Sequence, residues 1–115
     1  MAREVRWGGP ARDDLFYAAE FIARDSRHYA GALLDAARDA ARSLSVFPER
    51  GRRNPEIGEE AVREIFVQSY RLIYEIHADA IDVLAFVHGV RDLAAWWERE
   101  KSTRSGEPHV GEEDE

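Results

Sequence analysis

The chain predicts an α+β fold in the order β-α-α-β-β-β(-α), an antiparallel sheet packed against a helical hairpin. Three observations carry this prediction. Two alanine-rich apolar stripes recur at helical spacing, three runs rich in β-branched and aromatic residues follow at turn-length separations, and a short alternating run precedes them all.

Each element follows in order. Val5 and Trp7 alternate with Glu4 and Arg6, which reads as a short first strand. Gly8-Gly9-Pro10 breaks it, and Pro10 suits the first turn of a helix because its missing N–H costs nothing there. Ala11, Leu15, Ala18, Ala19 and Ile22 form one apolar stripe, with Asp13, Asp14 and Glu20 toward the helix start, where the dipole favours acids. That helix should end near Asp25, and Ser26 can cap a second. The second stripe is Ala30, Leu33, Leu34, Ala37, Ala41, Leu44 and Phe47, and Pro48 stops it. Small residues on both stripes let the helices approach closely as an antiparallel hairpin. Residues 49–60, charged and holding Gly51, Pro55 and Gly58, read as a loop. Residues 61–67, 70–77 and 81–88 read as strands joined by tight turns at Gln68-Ser69 and Ala78-Asp79-Ala80. Residues 92–101, with Leu93, Trp96 and Trp97, suggest a terminal helix. The three late strands form a meander with the first strand alongside. The helical hairpin covers one face and leaves the other partly open, as a place for function.

Composition bounds the rest. A chain of 115 residues, 44% of them hydrophobic, makes one domain, expected over residues 1–101, with an acidic and disordered tail over 102–115. The net charge is −7, and the last ten residues hold five acids, leaving −2 for the remainder. That balance disfavours binding nucleic acid by bulk charge, and no direct sequence-specific nucleic-acid binding by the chain alone is expected. The absence of cysteine excludes disulfides, thiol catalysis and cysteine zinc sites. The sequence shows neither a signal-peptide run nor a membrane-length apolar stretch, so a cytoplasmic protein without a membrane partner is expected.

The residues able to carry chemistry are mostly arginines. Arg52 and Arg53 crowd the loop beside Arg50, while Arg63, Arg71 and Arg91 lie in or just after the strands, and His88 ends the last strand. One reading is a surface for an anionic partner, either RNA phosphate or protein carboxylate. The other is a set of solvated arginines paired with Glu56, Glu59, Glu60 or Glu64. His88 could act as a general acid beside an arginine that stabilises a pentacoordinate phosphate, or be a strand-end histidine bonded to backbone. Whether Arg71 and His88 share a face depends on hairpin register. Pairing His77 with Ala80 puts both on one side, and a turn one residue longer separates them. His28, His77 and His109 lack metal-ligand spacing, and neither metal nor cofactor is expected. Tyr70, Leu72, Tyr74 and Ile76 read as core. Of Trp96 and Trp97 one should pack and one be partly exposed, which makes Trp97 a candidate partner contact.

These residues resemble a known family. Trp7, Ala11, Asp14-Leu15 and Phe21-Ile22-Ala23 look like the opening of ParE toxins, and Leu44, Pro48 and Gly51-Arg52 like their leucine–proline–glycine–arginine junction. Val62-Arg63-Glu64-Ile65 and Tyr70-Arg71-Leu72-Ile73-Tyr74 resemble the family's paired strands, and Val87-His88-Gly89-Val90-Arg91-Asp92 its closing strand. The likeness runs in order from about Val5 to Asp92 and points to the RelE/ParE superfamily, on its ParE-like branch. It implies the RelE-like sheet and hairpin, and a cognate DNA-binding antitoxin encoded nearby, for which a groove between alanine-rich helices and an open sheet would suit a helix or strand. It also implies a toxin that arrests growth by inhibiting DNA gyrase. The alternatives are a RelE-like ribosome-dependent messenger-RNA endoribonuclease, in which Arg71 and His88 match catalytic positions, or a non-toxic binding relative. Gly89 stands where several nucleases have a tyrosine, and Glu64 lies beside Arg63 where they tend to have basic groups.

Overall fold

The computed structural model describes residues 2–89 and 91–104. Strand β1 (Glu4–Trp7) leads into helices α1 (Gly9–Ala23) and α2 (Arg27–Ser43). A single 3₁₀ turn at Pro48–Arg50 and strand β2 (Arg52–Arg53) precede β3 (Val62–Val67), β4 (Tyr70–Ile76), β5 (Ala80–His88) and helix α3 (Leu93–Arg104). The strands form one sheet in the order β1-β5-β4-β3-β2. β1 runs parallel to β5, and the other neighbours are antiparallel. The predicted α+β order therefore holds, with two additions. The charged loop contains the two-residue strand β2, and α3 continues to Arg104, beyond the expected end at 101. The expected acidic tail beyond residue 104 lies outside the described residues.

Local signals explain the hairpin. Pro10 sits in the first turn of α1, and the Ser26 side chain accepts a hydrogen bond from the Tyr29 N–H at 3.1 Å to cap α2. Ala11, Ala18 and Ala19 of α1 and Ala30, Ala37 and Ala41 of α2 are all buried, so the stripes read from the sequence are the packed faces as far as Leu44; Phe47, expected to close the second stripe, lies beyond the end of α2 and is 66% exposed. With Leu15, Leu33 and Leu44 they cover Ile65, Val67, Leu72, Tyr74, Ile81, Val83 and Phe86 of the sheet. Leu72 and Tyr74 are core residues, as their alternation predicts.

The register of β4 against β5 turns on one residue. The His77 N–H donates to the Ala80 carbonyl at 2.8 Å, so the hairpin turn is the shorter of the two considered. Tyr74 then pairs with Val83, but Ile73 pairs with Ala85, and Leu84 is left as the extra residue of a β-bulge. Beyond the bulge Arg71 faces Val87, and His88 faces Tyr70. Side chains alternate along each strand, so Arg71 and His88 point to opposite sides of the sheet. The turn alone would have put them together; the bulge reverses that outcome.

The second face of the sheet is not left bare. Helix α3 lays Leu93, Trp96 and Trp97 on Ile57, Val62, Ile73, Ala85 and Val87. Trp96 is 9% exposed and Trp97 4%, which corrects the expectation of a partly exposed tryptophan. Adjacent helical residues both fit inside because α3 lies flat on an apolar sheet, so neither ring has to face solvent. Trp97 is a core residue.

Candidate functional site

What α3 leaves uncovered on the second face is a compact ionic cluster centred on Glu64. This residue follows Val62 on the inward-pointing alternation of β3 and pairs across the ladder with Ile73. Its side chain is 1% exposed. One carboxylate oxygen accepts from Asn54 Nδ2 at 2.8 Å and from Arg71 Nη1 at 3.2 Å. The other accepts from Arg52 Nε at 2.8 Å, with Arg52 Nη2 also at 2.8 Å, in a fork. Arg71 donates further to the Gly89 carbonyl, at 2.9 Å from Nε and through Nη2 as well. Glu56 stands 3.7 Å from Arg71 Nη1. Asn54, itself buried, accepts the Glu56 N–H at 2.7 Å and so orders the loop that closes the cluster. Phe66, 55% exposed, has the Arg52 and Arg71 guanidinium carbons 5.8 and 5.7 Å from its ring centre.

The leucine–proline–glycine–arginine junction anchors this cluster to the helical hairpin. Leu44 is fully buried at the end of α2. The Tyr74 hydroxyl donates to the Pro48 carbonyl at 2.6 Å and accepts the Gly51 N–H at 2.9 Å. A side chain at Gly51 would place its Cβ 2.5 Å from that hydroxyl and 2.6 Å from the Glu64 carbonyl oxygen, so the close approach requires glycine. Burial pushes the Tyr74 phenol above its usual range, partly offset by the Gly51 N–H and the charges of Arg63 and Arg50. Arg63 lies on the Tyr74 side of the sheet and donates to the Gly51 carbonyl at 2.9 Å.

The expected site residues thus divide. Arg52 and Arg71 come together, but around Glu64. Arg53 pairs with Glu60 at 2.6 Å, and Arg63 lies on the other face. His88, exposed at the end of β5, meets Tyr70 edge-on with ring centres 5.6 Å apart. Arg91 is exposed beyond it, and Trp97 is in the core. Asn54 and Phe66 are residues that sequence reasoning did not single out, and Glu64, named there as one of four possible partners of solvated arginines, is instead the buried centre of the cluster. The available signal was a glutamate alternating with the apolar Val62 and Phe66 on one side of β3, the side that also carries Arg71.

A second polar anchor joins α1 to the sheet. β1 ends opposite Val83, and beyond it the Phe86 N–H donates to Asp14 Oδ2 at 3.1 Å. Burial raises the Asp14 carboxyl above the usual range, against the opposing effects of that hydrogen bond and of Arg91. At the far end, burial also opposes ionisation of Asp82. There the hydrogen bond and charge of Arg6, with His77, outweigh it and hold the carboxyl below the usual range. Among the described residues no group of three histidines or acids is placed to hold a metal, and no helix is long and apolar enough to cross a membrane.

Comparison with known proteins agrees with this architecture. No curated protein matches the chain in sequence. Among solved structures the chain is similar to one described as a chromosomal ParDE TA system from P. aeruginosa, with a TM-score of 0.63. The match is 13% identical and covers 76% of this chain and 96% of that one; at such identity it speaks to the fold alone. The sequence profile of the ParE toxin of type II toxin–antitoxin systems, parDE, matches residues 5–93. With most of its length inside that match, the chain belongs to the ParE family of type II toxins.

Proposed function

We propose that this toxin arrests growth by binding and inhibiting DNA gyrase, and that a cognate antitoxin encoded beside it neutralises it. The observation that carries the choice of a protein target over RNA cleavage is the state of Arg71. Its guanidinium is held by the Glu64 carboxylate and the Gly89 carbonyl. A phosphate would have to displace a buried carboxylate to reach it, at the cost of stranding that charge. His88, the group that would protonate a leaving oxygen, lies on the opposite side of the sheet. General acid and phosphate clamp must sit within hydrogen-bond reach of one reacting group. The sheet separates them. What remains is a platform with exposed aromatic and arginine side chains, suited to contact with another protein.

The antitoxin follows from the family, whose toxins are paired with a partner, and from the ParDE description of the similar structure. The test is direct. Purified toxin should halt supercoiling by gyrase, while messages extracted after induction stay uncut. Intact supercoiling at doses that arrest growth rejects gyrase as the target. Cuts inside translated messages, lost in Arg71→Ala, would establish the nuclease instead. Unchanged growth on induction without a partner would mark a non-toxic relative.

A further inference from the structure

We propose that the outward face of α1 is a self-association surface, on which a second copy of this chain docks its own α1 antiparallel about a two-fold axis. The inward stripe of α1 is buried in the core through Ala11, Leu15, Ala18 and Ala19. The opposite stripe of such a helix is ordinarily polar. Here Phe16, Tyr17 and Phe21 are 49%, 72% and 63% exposed on it. A contiguous exposed aromatic patch marks an interaction surface. At about 3.6 residues per turn, Asp13, Tyr17, Glu20 and Arg24 run along the middle of this face, with Phe16 and Phe21 on its two flanks. Asp13, Glu20 and Arg24 are exposed and, among the described residues, enter no ion pair within the chain. The Arg24 guanidinium carbon lies 5.5 Å from the Phe21 ring centre, which holds it beside the patch.

The placement of charge on this face selects its occupant. Antiparallel docking that brings Asp13 opposite Arg24 of the copy also brings Arg24 opposite the copy's Asp13, because a two-fold contact repeats itself. The same register sets the Tyr17 hydroxyl against the copy's Glu20 carboxylate. It closes one flank of the seam with both Phe16 rings and the other with both Phe21 rings. The two Glu20 side chains approach the axis together, the one like-charged encounter in the seam. Parallel docking would instead set acid against acid and arginine against arginine throughout. A shallow depression of about 320 Å³ between Asp13, Phe16, Tyr17 and Glu20 gives room for an incoming side chain. The chain's own end, residues 106–115 with five acids and no lysine or arginine, would meet Asp13 and Glu20 and is disfavoured there. One helix face per copy makes a small interface, so the dimer is weak and reversible. α1 packs on the sheet face opposite the Glu64–Arg71 cluster, so pairing through α1 leaves that cluster open on both copies. Self-association therefore stands apart from the toxin's choice of target.

The experiment is sedimentation equilibrium of the full chain alone, from about 10 μM to 1 mM. The expected result is a monomer–dimer equilibrium. Asp13→Arg and Arg24→Asp should each weaken it about tenfold or more. An equimolar mixture of the two variants should associate at least as tightly as the parent, because every cross pair is then opposite in charge. Glu20→Gln, which keeps an acceptor for Tyr17, should tighten the dimer. All three positions are exposed, and circular dichroism checks that each variant stays folded. A chain that remains monomeric across this range overturns the proposal. So does a dimer indifferent to the single charge reversals, or one that the mixture fails to restore. If the reversals leave the mass of the free chain unchanged and weaken only its complex with the product of the adjacent gene, the face belongs to the antitoxin and the proposal falls.

Discussion

Glu64 holds together more of the candidate surface than any arginine does. Removing one member of a buried ion pair strands the other, so Glu64→Ala should cost about 3–5 kcal/mol. The expected readout is a lower urea midpoint with an unchanged slope. Arg52→Ala breaks the same cluster from a side chain that is 61% exposed, and should cost no more than about 1 kcal/mol. Tyr74→Phe leaves the Pro48 carbonyl and Gly51 N–H without their hydroxyl partner, at about 1–3 kcal/mol. Gly51→Ala should be the worse of these two, because its Cβ meets the Glu64 backbone as well as a movable hydroxyl. Thermal unfolding of the two variants side by side checks the order. None of this was visible residue by residue in the sequence. The junction stood out as a familiar pattern, but its physical reason, a tyrosine hydroxyl bridging two backbone groups, needs residues 48, 51 and 74 in one place.

At the scale of elements, the sequence was legible wherever one period dominated. The alanine stripes gave both helices, and Ser26 gave a cap that the structure contains. The sheet meander followed from runs separated by turn-length gaps. What escaped was whatever breaks period: the bulge at Leu84, and β2, which is too short to alternate. Asp14 illustrates a related limit. Read as an acid favoured by the α1 dipole, it instead reaches from α1 to the β5 backbone. Its raised pKa gives a signed expectation. Its contribution to stability is fully present below the unfolded value of about 3.9 and is lost as pH rises through the folded value. At neutral pH the ionised group therefore weighs against the fold. Asp14→Asn keeps an acceptor for Phe86 and should be at least as stable as the parent at pH 7, with the advantage shrinking as pH falls through the raised folded value and levelling off below about pH 4. Asp82, held low by Arg6 and His77, works in the opposite sense: its contribution is present above the unfolded value and is lost as the medium is acidified. Urea midpoints for parent and Asp14→Asn across this range test the sign.

For the whole molecule, the sheet is a central layer with a core on each side. The helical hairpin packs on one face, and α3 with its two tryptophans on the other. Trp97→Ala should therefore cost about 3–5 kcal/mol, the penalty of a core cavity. An unchanged melting temperature together with weakened partner binding would return Trp97 to the surface role its sequence position first suggested. The extra residue in β5 reaches further than packing. Up to Val83 the last strand keeps step with its neighbour in one phase, and from Ala85 onward in the other. The distance between the terminal histidine and the arginine is thus written into chain length rather than into side-chain identity. Exchanging either residue for another leaves the two on separate sides. Only lengthening or shortening the backbone between Tyr74 and His88 by an odd step could unite them, and that same step would turn Phe86 out of one core and Val87 out of the other.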